Sequence, residues 1–133
     1  MKNGLVITEY GNKFWHKDDD LLHREDGPAV EYFNGDKEWF FNGKRHRENG
    51  PAVEYANGTK HWWVNGKLHR EDGPAIEDTD GTKAWYINGE YHREDGPAIE
   101  YANGNKFWYY HGKYIECKSQ EKFERLVKLI PFW

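Results

Sequence analysis

The sequence predicts a mainly β fold: a single-layer, twisted antiparallel meander of β-hairpin repeats, closed by a C-terminal capping α-helix. Three observations predict it. The string H-R-E-D-G-P-A begins at His23, His46, His69 and His92, each 23 residues after the last, with Asn49 replacing Asp in the second copy. Asn-Gly or Asp-Gly pairs occur twice per repeat, and such pairs tolerate the positive φ of tight hairpin turns. Beyond Tyr114 the apolar spacing changes from strand-like to helical.

Residues 1–22 form a degenerate half repeat, because ITEYGNKFW at 7–15 echoes EYANGNKFW at 100–108. Residues 23–115 hold four full repeats without insertion, as expected for an array whose units bury surface only against their neighbours. Residues 116–133 form the cap: Phe123, Leu126, Val127 and Ile130 fall at i, i+3, i+4 and i+7, behind Ser119 as N-cap and ahead of Pro131 as a stop. The whole chain, 1–133, is expected to be one repeat domain.

Two-residue type I′ loops are expected at Asn34-Gly35, Asn42-Gly43, Asn57-Gly58, Asn65-Gly66, Asp80-Gly81, Asn88-Gly89, Asn103-Gly104 and His111-Gly112. Such loops set the register. Phe41 then faces Lys44, Trp39 faces His46 and Lys37 faces Glu48, while Val30 faces Trp39 and Tyr32 faces Lys37. One face would carry Val30, Trp39 and His46, repeated as Val53, Trp62, His69 and Ile76, Trp85, His92, with Lys-to-Glu pairs such as Lys60 with Glu71 beside it. The sheet is expected to bend at each Gly-Pro, where the ladder loses an N–H.

The opposite face varies most, with Glu38, His61, Ala84 and Phe107 at one equivalent position. It would place Ala29 with Phe40 and Arg45, and Glu31 with Glu38 and Arg47. An aromatic ladder of Phe40, Trp63, Tyr86 and Tyr109, with Arg47, Arg70 and Arg93 alongside, has the residue types that protein interfaces favour. These seven residues and His61 are the candidate partner-binding set.

No catalytic residue is predicted. His and Glu two apart on a strand share a face and suit a divalent metal or a proton relay, but four near-identical copies lack the asymmetric roles of acid, base and nucleophile. The expectation is that each histidine packs against tryptophan, with no metal and no cofactor. Arg47 is expected to pair with Glu38 across the sheet. Cys117, the single cysteine, lies at the strand-to-helix junction and reads as a small buried side chain. It permits no internal disulfide, which suits a reducing compartment, and cytoplasm is the expected location.

Aromatics make up 17% of residues against a hydrophobic total of 37%, so rings must supply much of the burial. The net charge of -4, with acids and bases interspersed, gives neither the basic stripe of a nucleic-acid binder nor the patch that grips an anionic membrane.

The unit W-x-x-N-G-K-x-H, followed by Gly, a short strand and Y-x-N-G or Y-x-D-G, resembles the MORN repeat. It is more similar still to the HREDGPA-type variant of bacteriophages and large DNA viruses, whose arrays often end in a short helix like CKSQEKFERLVKLIPFW. The chain departs from the ordinary MORN pattern in placing Arg-Glu-Asp before Gly-Pro where a Gly is usual. The resemblance implies an elongated, non-catalytic scaffold for protein contacts. The leading expectation is a phage-encoded inhibitor of a bacterial host or defence protein, of the anti-CRISPR type, working in the host cytoplasm. Two alternatives stand beside it: a nucleotide or small-ligand sponge that stacks ligands between the aromatic and Arg ladders, and a structural or membrane-junction adaptor of the MORN kind.

Overall fold

A computed structural model describes residues 4–130, and the chain divides into two compact units, Met1–Lys67 and Leu68–Trp133. The fold is mainly β with antiparallel hairpins and one C-terminal helix, as the sequence predicts. In the first unit the strands are β1 (Gly4–Ile7), β2 (Lys13–Lys17), β3 (Leu21–Leu22), β4 (Val30–Glu31), β5 (Lys37–Glu38), β6 (Phe40–Phe41), β7 (Lys44–Arg45), β8 (Val53–Glu54), β9 (Lys60–His61) and β10 (Trp63–Val64), with β11 (Lys67–Leu68) at the boundary. Here β1, β2, β4, β5, β8 and β9 pair in that order, while β6 and β7 form a separate two-stranded ribbon. The second unit repeats the scheme with β12 (Ile76–Glu77), β13 (Lys83–Ala84), β14 (Tyr86–Ile87), β15 (Glu90–Tyr91), β16 (Ile99–Glu100), β17 (Lys106–Tyr110), β18 (Lys113–Ile115) and α1 (Gln120–Lys128). Its sheet runs β12, β13, β16, β17, β18, and β14 with β15 makes the ribbon.

The two turns of each repeat differ, which corrects the expectation of identical two-residue loops. At Asn42, Asn65, Asn88 and His111 φ lies near +50°, and the following glycines are also left-handed, as a type I′ turn requires. Phe41 therefore faces Lys44 and Phe40 faces Arg45, as predicted around Asn42-Gly43. His46 N–H donates to the Trp39 carbonyl at 3.1 Å, in keeping with the predicted pairing of those two residues. Asn34, Asn57, Asp80 and Asn103 have no positive φ; only the glycine after each is left-handed. Their side chains accept the N–H two residues on, at 2.9 Å for Asp36 and Thr59. Gly35 N–H donates to the Tyr32 carbonyl and Tyr32 N–H to Asp36, both at 2.9 Å, which closes a three-residue loop with a glycine bulge. The half repeat closes alike, with Thr8 N–H donating to Asn12 and Gly11 N–H to Thr8.

That extra residue slips the register by one, and a one-residue slip moves every side chain to the other face. Val30 faces Glu38 rather than Trp39, and Glu31 faces Lys37, so the row of Val30, Trp39 and His46 does not form, nor does a row placing Glu31 with Glu38 and Arg47. Lys37 faces Glu31 and Glu54, not Glu48, and Lys60 faces Glu54. One face of each sheet is thus a cross-strand ladder of alternating Glu and Lys: Lys13, Glu31, Lys37, Glu54 and Lys60 in the first unit, Glu77, Lys83, Glu100 and Lys106 in the second. The other face carries Val30 and Val53, 2% and 3% exposed, in line with Phe14, Glu38 and His61.

The sheet strands end at the Gly-Pro segments, where a bend was expected. They break a second time at Trp39 and Trp85, between sheet and ribbon, whereas β17 runs unbroken through Trp108. That last strand packs with the cap: Trp108, Ile115 and Phe123 form a buried cluster flanked by Tyr110, Cys117, Leu126, Val127 and Ile130. Ser119 caps α1 as predicted, accepting Lys122 N–H, and Gln120 accepts the Trp108 indole N–H at 2.8 Å. Cys117, expected as a small buried side chain, is half-buried against this cluster, and burial raises its thiol above its ordinary value. Pro131, expected to stop the helix, lies outside the described residues.

Candidate functional site

The four H-R-E-D-G-P-A segments are the chemically richest part of the chain, and most of their positions have a defined contact. The arginine comes first. Its guanidinium stacks on a tryptophan of the preceding strand, Arg24 on Trp15 at 3.8 Å, Arg47 on Trp39 at 3.9 Å and Arg93 on Trp85 at 3.7 Å. One terminal nitrogen donates to the proline carbonyl four residues on and to the glutamate seven on, as Arg47 does to Pro51 at 3.0 Å and Glu54 at 2.9 Å. Arg70 does the same to Pro74 and Glu77, and Arg93 to Pro97 and Glu100. The aspartate receives Nε, at 2.9 Å in Asp72, which together with the Arg70 charge holds that carboxyl below its ordinary range. The glycine is a matter of space: a Cβ at Gly96 would stand 2.6 Å from the Arg93 guanidinium carbon. The alanines, Ala29, Ala52, Ala75 and Ala98, are fully buried, and the carbonyls of Ala29, Ala52 and Ala98 accept the backbone N–H of Trp15, Trp39 and Trp85.

The histidine links one repeat to the next turn. Nδ1 of His23, His46, His69 and His92 accepts the backbone N–H of Asn42, Asn65, Asn88 and His111, at 2.8 to 3.0 Å. Nε2 of His23, His69 and His92 faces the glutamate two residues on, at 3.2 to 3.4 Å. With Nδ1 accepting, the proton of the neutral ring sits on Nε2. The expected packing of histidine on tryptophan is therefore replaced by a hydrogen bond, with ring contacts from His23 to Phe41 and from His92 to Tyr110 and His111. No group of three or more His, Cys, Asp or Glu suited to a metal ion occurs among the described residues.

The ladder residues Phe40, Trp63, Tyr86 and Tyr109 lie in β6, β10, β14 and β17, each directly after the tryptophan of its repeat. In the first unit Arg45 sits between Phe40 and Trp63, 5.5 and 5.3 Å from the ring centres, and its Nε donates to Glu38 at 2.8 Å. The expected pairing of Arg47 with Glu38 is thus corrected: Arg45 takes Glu38, and Arg47 takes Glu54. His61 meets Tyr55 edge-on at 5.3 Å. In the second unit Tyr86, Tyr91, Tyr109 and Tyr114 stack in series at 4.4, 4.8 and 5.6 Å. Desolvation lifts the Tyr86 and Tyr109 phenols above their ordinary value, Tyr86 with help from a hydrogen bond to Tyr91. Phe40, Trp63, Tyr86 and Tyr109 are half-buried, and the Trp63 indole N–H is buried without a hydrogen-bond partner.

Of the eight candidates, Phe40 and Trp63 group around Arg45 and His61 meets Tyr55 in the first unit, Tyr86 and Tyr109 group around Tyr91 in the second, and Arg47, Arg70 and Arg93 belong to the clamps of the repeat. The ladder's own companions are Arg45, Tyr91 and Tyr114, each directly across a type I′ turn from a ladder residue or flanking it. The turn register already pointed to them. No protein-family model matches the chain, and no curated protein matches it.

Proposed function

We propose that the chain is a non-catalytic repeat scaffold that binds a protein partner through its aromatic ladder. One observation carries this reading: the histidine, arginine, glycine and alanine of the chain's one reactive-looking motif are engaged in holding a repeat together, while the rings of the ladder stay half-exposed. Pre-stacked tyrosines present large area at low entropic cost, which is what protein recognition uses. Tyr101 and Tyr114, 44% and 53% exposed, extend the stack to solvent. The arginine clamps count against the nucleotide sponge, since Arg47, Arg70 and Arg93 already hold carboxylates and carbonyls. No helix among the described residues is long and apolar enough to cross a membrane.

The resemblance to HREDGPA-type phage arrays extends the reading to a bacterial host or defence protein as partner, of the anti-CRISPR kind, met in the host cytoplasm. The test compares wild type with a Tyr109→Ala, Tyr114→Ala double variant as baits in bacterial cytosol. A protein retained by wild type and lost by the folded double variant supports the reading. No retained protein, or equal retention by both, overturns it.

A further inference from the structure

We propose that the four repeat histidines are proton-operated latches: neutral, each pins the turn of the following repeat, and protonated, each lets that turn go. The geometry is the same four times. In the first unit His23 holds Asn42 at 2.9 Å and His46 holds Asn65 at 3.0 Å; in the second His69 holds Asn88 at 2.9 Å and His92 holds His111 at 2.8 Å. The pinned residues are the left-handed first positions of the type I′ turns, with φ of 48° to 51°. Asn and His tolerate that conformation better than most side chains, and a hydrogen bond to their amide favours it further. The Nδ1 lone pair is part of that support, and it exists only in the uncharged ring. A proton on Nδ1 would place N–H against N–H.

The groups around each ring pull in opposite directions. Glu25 faces His23 on its own loop and Phe41 covers it from the ribbon. His46 shares its groove with Arg24, Glu25 and Asp26 of one loop and Arg47 and Glu48 of its own. His69 and His92 share a second groove with Arg70, Glu71, Asp72, Arg93, Glu94 and Asp95, and with His111 from the next turn. At His92 burial is the larger influence and lowers its affinity for protons, with the His111 ring acting in the same direction, while Glu94 and Glu90 oppose them.

The sign follows from linkage. Protonating Nδ1 removes the lone pair that holds the turn, so opening is favoured as the pH falls, and at His92 burial already opposes the charged ring. The ribbons that open carry Phe40 and Tyr86, so acid would remodel the aromatic ladder while the Glu–Lys ladder of the sheets keeps its pairing. This rests on the protein's own hydrogen bonds and not on the partner-binding reading, and its test needs no partner.

Amide hydrogen exchange of the intact chain, corrected for intrinsic rates, reads the latches individually. Between pH 7.5 and 5.5 the Asn42, Asn65, Asn88 and His111 amides should lose protection, while the Trp39 and Trp85 amides, bonded to the Ala52 and Ala98 carbonyls, should keep theirs. In His46→Asn, whose Oδ1 can stand where Nδ1 stood but cannot titrate, the Asn65 amide should lose its pH dependence alone. Unchanged protection at the four turns, or an equal fall at Trp39 and Trp85, overturns the proposal, and the wild-type comparison decides it even if the variant does not fold.

Discussion

Replacing Arg47 tests the clamp most simply, because Asn49 removes the Nε partner that Arg24, Arg70 and Arg93 find in Asp26, Asp72 and Asp95, and so fewer contacts are involved. Arg47→Ala removes three of them. Loss of the bond to the Pro51 carbonyl costs about 1 kcal/mol net. The ion pair with Glu54 joins side chains 29% and 34% exposed, so solvent screening holds it to about 0.5–1 kcal/mol. The stack on Trp39, with the guanidinium carbon 3.9 Å from the ring centre, contributes about another 0.5–1 kcal/mol. The expected loss is about 2–3 kcal/mol. Arg47→Lys keeps the charge but neither the planar stack nor the forked donation, so more than half of that loss should remain. Urea unfolding with an unchanged slope measures both. A loss below about 0.5 kcal/mol for Arg47→Ala, the range of ordinary surface substitutions, would refute the clamp.

Three further outcomes follow from other parts of the fold. Gly43→Ala should destabilise by about 1–2 kcal/mol, since φ is +81° and a Cβ would meet the Leu21 side chain at 2.9 Å; a neutral result in thermal melts would contradict the type I′ assignment. Phe123→Ala, at a site 1% exposed against Trp108 and Ile115, should cost about 3–4 kcal/mol and shift the Trp108 fluorescence as the helix loosens; an unchanged spectrum would contradict the docked cap. Tyr86 and Tyr109 hold their protons more tightly when folded, so the stability they contribute is complete below the unfolded value of 10.0 and is lost as pH rises past it. Alkaline spectrophotometric titration should show two or more phenols ionising late in the folded protein, and uniform titration near 10 would contradict the stack.

The sequence made the repeat legible because its period is unbroken and because Asn-Gly, Asp-Gly and Gly-Pro each have a narrow conformational meaning. It made the helix cap legible for the same reason: Ser119 and the spacing of Phe123, Leu126, Val127 and Ile130 admit one answer. What it hid was the difference between two turns of like composition. Asn34 and Asn42 both precede glycine, yet Asn34 turns its side chain onto the Asp36 amide, while Asn42 goes left-handed with its own amide on His23. The second bond is made by a residue 19 positions away, which no local rule contains. From that one-residue slip came the wrong row of Val30, Trp39 and His46, whereas Arg47 was misplaced because pairing across the Asn42-Gly43 turn stops after Arg45 and the Arg47 N–H turns to the Trp63 carbonyl. Arg45 was legible, since the Asn42-Gly43 turn already put it opposite Phe40.

H-R-E-D-G-P-A is proposed here as a joint of the architecture. Arginine side-chain NMR tests it most directly, since a clamped guanidinium rotates slowly and gives separate signals for its terminal nitrogens. Arg24, Arg47, Arg70 and Arg93 should each show resolved terminal nitrogen signals that persist without any ligand, against Arg125, 73% exposed on the helix, as the averaging control. Averaged signals from all four repeat arginines, indistinguishable from Arg125, would contradict it.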